Sequence, residues 1–304
     1  MAEPPQLTPE RRHRRPSPEQ VRRRRIAAVG AIVLAVTAAV VAVVVAIPHV
    51  RDTRAAPPPA PPPPPKPFRV VFPEGFTRAQ MAERVTAVAG IAHRKSHKHI
   101  ALNAKQYLRA TRTAAIPCFR PKRQKNLEGF LFPATYDFLA STPSQGLVQE
   151  QLQAFCTNWK GVDLTYARSK NLTPYDVLTI ASMVEKETLA PSERPLVAAV
   201  IYNRLHARMP LGIDSTLRYG LHIPPTQSIL ESQLESDSPY NTRKVPGLPP
   251  TPIANPGLAS IRAAAHPAHV DYLYFVRKPD KVHHFFTSSG AAFAQYECAH
   301  GYGC

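Results

Sequence analysis

Two glutamates, Glu185 and Glu187, end the segment LTPYDVLTIASMVEKET and are the residues best suited to proton-transfer chemistry. A glutamate whose pKa is moved toward neutrality can protonate a leaving oxygen and later take a proton back. At about 100° per residue, the two side chains diverge by about 160° around a helix. They are therefore not a dyad sharing one proton, and at most one enters a given cleft. Glu187 falls beside Ile180, Met183 and Val184. An apolar wall disfavours the carboxylate and keeps the group protonated, as a general acid requires. Glu187 also lies at the helix end, just before Thr188, Leu189, Ala190 and Pro191 break the pattern. Glu185 neighbours Leu178, Ala181 and Lys186, which suits a supporting ion pair. On this helix alone, two surface glutamates explain the pattern equally well.

The elements around this pair are legible. Thr173 is an N-cap, Pro174 takes the first helical position, and Asp176 completes a capping box. Val177, Ile180, Ala181 and Val184 form a core-facing stripe. A second helix over residues 192–208 carries Asn203 and Arg204 among apolar residues. The proline- and glycine-rich loops that follow carry Asp214, Ser215, Tyr219, Tyr240, Asn241, Thr242 and Asn255. Their carboxylate, amides, hydroxyls and aromatic rings suit sugar hydroxyls and sugar faces. Earlier, a helix is predicted over about 144–159, and short strands over 272–277 and 284–287 close the chain. His93 and His97 have i,i+4 spacing with His99 nearby, but Arg94, Lys95 and Lys98 intervene. A solvated basic face is the better reading there than a metal site.

Residues 26–47 are apolar apart from Thr37, and about 20 such residues cross a bilayer as a helix. The run is longer than a secretory signal's apolar region and no cleavage site follows, so it reads as an uncleaved anchor. The net charge is +17; residues 1–25 hold eight Arg and three Glu, hence +5, which leaves +12 beyond them. The excess of arginine before the helix predicts a cytoplasmic N-terminus and an extracytoplasmic domain. A basic domain there fits anionic envelope polymers or lipid headgroups and excludes nucleic acid as the natural partner. Residues 1–25 thus read as a cytoplasmic tail, 26–47 as the membrane helix and 48–67 as a linker, proline-rich over 57–67 and stiff. Residues 68–125 read as a small α+β unit, where Thr77 and Gln80 form a capping box. Residues 126–304 form the main domain. All four cysteines lie outside the membrane. Of the three connectivities, Cys118–Cys156 with Cys298–Cys304 is preferred.

The blocks LEGFLFPATY, VLTIASMVEKET, APSERPLVAAVIYNRL, MPLGIDSTLRYG and SPYNTRKVPGLPPTPIANPGLASIRAAAHP occur in that order between about residues 127 and 286. The series resembles the endolytic murein transglycosylase family of bacteria. The earlier PEGFTRAQMAERV resembles that family's small LysM-like module. The resemblance implies an α+β protein with one N-terminal membrane helix, a LysM-like subdomain and a mainly helical, lysozyme-like transglycosylase domain with short strands. It implies the glycan strands of peptidoglycan as substrate, no cofactor and no metal, and possible contact with the wall-synthesis machinery. Glu187 takes the place of the catalytic glutamate, with Glu185, Asn203, Arg204, Asp214, Tyr219, Tyr240, Asn241, Thr242 and Asn255 as supporting or sugar-contacting candidates. The expected reaction is non-hydrolytic cleavage between MurNAc and GlcNAc to a 1,6-anhydro end, which terminates strand growth. A lysozyme-like hydrolase using the same glutamate, or a wall-binding protein without catalysis, are the alternatives. Arg218 and Gly212 depart from the family's usual aliphatic residue and glutamine.

Overall fold

The computed structural model describes residues 17–46, 64–119 and 126–302. It divides into two units, one up to Pro64 and one from Pro65 onward. Most of the tail read at 1–25 and of the linker at 48–67 lies outside the described residues, as does Cys304 of the expected Cys298–Cys304 pair.

In the first unit, α1 (Pro18–Ala46) begins before the apolar run, so Arg22–Arg25 form its first turns. At about 1.5 Å per residue it exceeds the roughly 30 Å of a bilayer's hydrocarbon core. Its Ile, Leu and Val side chains are exposed around the helix, not packed in a protein core. The hydroxyl of Thr37 donates back to the Val33 and Leu34 carbonyls, so the one polar side chain in the run is satisfied within the helix. The helix is long and apolar enough to cross a membrane.

The second unit starts with β1 (Phe68–Val71), α2 (Arg78–Ser96) and α3 (Ala104–Thr113). β1 pairs antiparallel with β2 (Thr135–Phe138), Phe68 opposite Phe138. The small α+β unit expected at 68–125 thus finds its second strand beyond residue 125. The Thr77–Gln80 capping box starts α2, and His97 ends it in the left-handed region at φ 55°. α4 (Ser144–Trp159) covers the predicted 144–159 and is tied to the first part by the Cys118–Cys156 disulfide. Phe119, Phe130, Phe155 and Trp159 pack edge-to-face and stacked around that bridge.

α5 (Thr165–Ser169) leads to α6 (Pro174–Glu187), the centre of the unit. Thr173, Pro174 and Asp176 start α6 as the sequence predicts. Every residue from Val177 to Val184 is buried, because the helix is covered on several sides and not on one stripe. α7 (Arg194–His206), entered through a 3₁₀ turn at Pro191–Glu193, packs on it, as do α8 (Asp214–Leu221) and α10 (Leu258–Ala265). The short α9 (Glu231–Leu234) lies in the loop region. β3 (Tyr274–Arg277) and β4 (His284–Thr287) form an antiparallel hairpin covered by α11 (Gly290–Ala299).

Candidate active site

Glu187 is the last residue of α6. Thr188 closes the helix, its N–H and hydroxyl both donating to the Val184 carbonyl. Glu187 keeps part of its surface open to solvent, yet burial of its carboxyl is the largest influence on it and pushes its pKa up. The charge of Asp214 pushes the same way; Ser215 and the Arg277 guanidinium favour the ionised form. Ser215 lies against the carboxyl and acts on it through both its backbone N–H and its hydroxyl, but the buried Oγ falls short of full hydrogen-bond geometry. The arrangement leaves an enclosed acid whose pKa is raised by burial, with a hydroxyl beside it that is not fully engaged.

Glu185 leaves the helix in another direction. Its Oε2 accepts from the Gly257 N–H at 3.1 Å, and its charge, after burial, helps raise the pKa of Glu74. It ties the end of α6 to the loop before α10.

The start of α8, which carries Asp214 and Ser215, is held from several sides. Gly212 adopts φ +60°, and a Cβ there would lie 3.1 Å from an Arg204 nitrogen, which gives this position a physical reason for glycine. Thr242 accepts from the Gly212 N–H through its carbonyl (2.9 Å) and from the Ile213 N–H through Oγ1 (3.0 Å). Its hydroxyl also meets Thr216 Oγ1 at 2.9 Å. Arg243 grips Asp214 Oδ1 through two nitrogens, at 2.9 and 2.6 Å. Arg218, the other departure, donates to the Pro224 and Gln227 carbonyls.

Other sequence candidates form the frame. Asn203 donates to the Val270 and Tyr272 carbonyls, both at 2.9 Å. Arg204 donates to Leu273 (2.6 Å) and Leu211 (2.7 Å) and stacks on Tyr274. Together they fix the approach to β3 and so Arg277. Asn241 donates to Leu234 and Ser236, and its Oδ1 accepts from the Arg243 N–H. Tyr240 hydrogen-bonds Thr251 and packs on Tyr219. Asn241, Thr242 and Asn255 are buried, with their polar groups engaged inside the protein. Asp214, Tyr240 and Tyr219 retain accessible surface.

Asn255 leads to a residue that sequence reasoning missed. Its Oδ1 accepts from the Gly129 and Leu131 N–H groups, both at 2.9 Å. Its Nδ2 donates to Phe76 O (2.9 Å) and to Glu128 (2.8 Å). Glu128 is fully buried and accepts further from the Arg78 N–H at the start of α2 (3.0 Å) and from Tyr219 OH (3.1 Å). Burial raises its pKa to about 7, against those donors. The signal was a lone carboxylate inside the apolar block LEGFLF. Next to it, Gly129 sits at φ +90°, where a Cβ would come within 2.6 Å of Pro252. A second missed pair joins Glu193 to His284, at 2.6 Å to Nδ1 and 3.0 Å to the backbone N–H. It pins β4 to the start of α7.

The YceG-like family profile matches residues 59–297. The endolytic murein transglycosylase of Bacillus subtilis (strain 168) is 41% identical over 157 residues, covering 50% of this chain and 42% of that protein. That of Streptococcus pneumoniae (strain R6) is 35% identical over 226 residues, covering 68% of this chain and 40% of that protein. The chain thus aligns with about two fifths of the length of these relatives. A crystal structure of a yceG-like protein from Listeria monocytogenes superposes with a TM-score of 0.64 at 30% identity, over 76% of each chain. With the profile matched across most of its length, this chain belongs to the YceG-like family.

Proposed function

We propose that this protein is an endolytic lytic transglycosylase of peptidoglycan, with Glu187 as its catalytic residue. One observation carries the reading: a carboxyl enclosed at the end of a buried helix, its pKa raised, in a chain whose curated relatives are named endolytic murein transglycosylases. Glu187 protonates the glycosidic oxygen between MurNAc and GlcNAc, and the C1–O bond breaks through an oxocarbenium-like state. The MurNAc 6-hydroxyl attacks C1 and gives its proton to the Glu187 carboxylate. The product is a 1,6-anhydro end; the acid is regenerated and no water is consumed. Burial favours the protonated form for the first half, and Ser215 and Arg277 favour the ionised form for the second.

The β1–α2–α3–β2 unit is the LysM-like module and adds glycan contact. α1 anchors the chain, with the arginine-rich end in the cytoplasm. The basic outer part stays among anionic envelope components, and cutting near the membrane terminates nascent strands.

Mass spectrometry of peptidoglycan treated with the purified chain tests the reading. Anhydro-ended fragments, absent with Glu187→Gln, are expected. Fragments one water heavier, with reducing ends, would establish a hydrolase instead, and an unchanged glycan would leave a binding protein.

A further inference from the structure

We propose that Ser215 is a positioning residue for Glu187: its hydroxyl, held at the start of α8 without a partner inside the protein, donates to the Glu187 carboxylate once that group has given up its proton. The inference rests on the role of Glu187 proposed above.

Three observations carry it. α8 packs against α6, and Asp214 and Ser215 of its first turn are close enough to the Glu187 carboxyl to act on it. That turn is fixed from several sides, with Thr216 bonded to Thr242 and Ile213, Asp214 to Arg243, and Tyr219 to Glu128. Ser215, between these anchored residues, is the one whose buried side-chain oxygen has no partner among the described residues. A buried hydroxyl left unpaired is costly and uncommon in native proteins. Here its neighbour is an acid that spends part of each turnover ionised.

The charges acting on Glu187 are Asp214 from α8, which holds the proton on, and Arg277 from β3, which draws it off. Ser215 acts alongside Arg277 but differs in kind. A neutral hydroxyl adds little to the protonated acid and a directed hydrogen bond to the carboxylate. It thereby stabilises the form that must collect the proton of the sugar hydroxyl, and it keeps its own proton throughout.

The test is a titration that does not depend on activity. The full chain in detergent, labelled with carboxyl-¹³C glutamate, is followed by NMR across pH, and the Glu187 signal is assigned by its loss in Glu187→Gln. Ser215→Ala should move the Glu187 midpoint up by about half to one pH unit, the effect of one hydrogen bond. The alkaline limb of the kcat/KM profile should move with it. A Ser215→Ala protein with the wild-type midpoint overturns the inference and leaves the reading of Glu187 intact. Cleavage retained by Glu187→Gln overturns that reading, whatever the titration shows.

Discussion

Glu128 and Glu187 both have pKa values raised for the same first reason, burial of the carboxyl, yet their surroundings are opposite. Glu128 is encircled by donors: the Arg78 N–H, the Asn255 amide and the Tyr219 hydroxyl all point at it. Glu187 has Ser215 and Arg277 near it, and the buried Ser215 hydroxyl is not fully engaged. A fully partnered carboxyl has no hydrogen-bonding capacity left for a substrate, and its partners come from α2, the loop before α10, and α8. Its work is to join parts of the fold. A carboxyl with unspent neighbours at the end of a helix can exchange a proton with something that arrives. Raised pKa alone does not separate the two roles; the hydrogen-bond inventory does.

The largest effect that could break this contrast is on catalysis. Glu187→Gln keeps the shape and removes the proton, so peptidoglycan cleavage should fall about 10³-fold or more with the melting temperature little changed. Fragment release followed by chromatography, beside a thermal melt, reads both. Glu128→Gln giving the same loss with an unaltered melt would mean that the two roles are exchanged.

Next comes the frame. Asn255→Ala removes the side-chain acceptor of the Gly129 and Leu131 N–H groups and takes one donor each from the Phe76 carbonyl and Glu128. Unpaired buried groups are expensive, so a loss of about 3 kcal/mol is expected in urea denaturation. A loss below about 1 kcal/mol would show that the loop is not anchored through this amide.

A smaller effect is specific to pH. The folded-state pKa of Glu128 is raised from 4.5 to about 7. The stability this group contributes is then fully present below about pH 4.5 and is lost as pH rises through about 7. Glu128→Gln, which mimics the protonated acid, should flatten that dependence, removing on the order of 2 kcal/mol of change across the window. Denaturation midpoints at several pH values check it, and parallel wild-type and variant curves would rule it out.

Local chemistry was readable from the sequence wherever it was decided locally. The capping boxes at Thr77 and Thr173, the span of α4 and the two short closing strands, the first starting at Tyr274 and not at 272, follow from neighbouring residues, and so does the divergence of Glu185 from Glu187. What was not readable depends on contacts far apart in the chain. β1 pairs with a strand more than sixty residues away, and a boundary drawn at residue 125 from composition could not anticipate it. Asn241, Thr242 and Asn255 look like sugar ligands in proline-rich loops, because amides and hydroxyls serve a glycan and a backbone equally well. Burial and long-range hydrogen bonds engage them with the backbone. Glu128 was hidden for the converse reason: one carboxylate in an apolar block gives no hint of donors contributed by residues 78, 219 and 255.

Tyr219 is where the contrast can be tested most finely. It stands one helical turn after Ser215, so the same face of α8 looks toward both carboxyls. Its hydroxyl belongs to Glu128 at 3.1 Å, and its ring packs on Tyr240 at 5.2 Å between centroids. Tyr219→Phe keeps the ring and removes one donor from Glu128. The cost should be about 1 kcal/mol, the worth of a single hydrogen bond. The Glu128 pKa should rise further, because that donor favours the ionised form. Thr216, Asp214 and Arg218 still fix α8, so Ser215 should not move and cleavage should fall by less than about threefold, within what one hydrogen bond can shift. Melts and cleavage rates on the same preparation decide it. A tenfold loss of cleavage with only a small loss of stability would mean that the helix transmits the state of Glu128 to Glu187, and that the two carboxyls work as one coupled site.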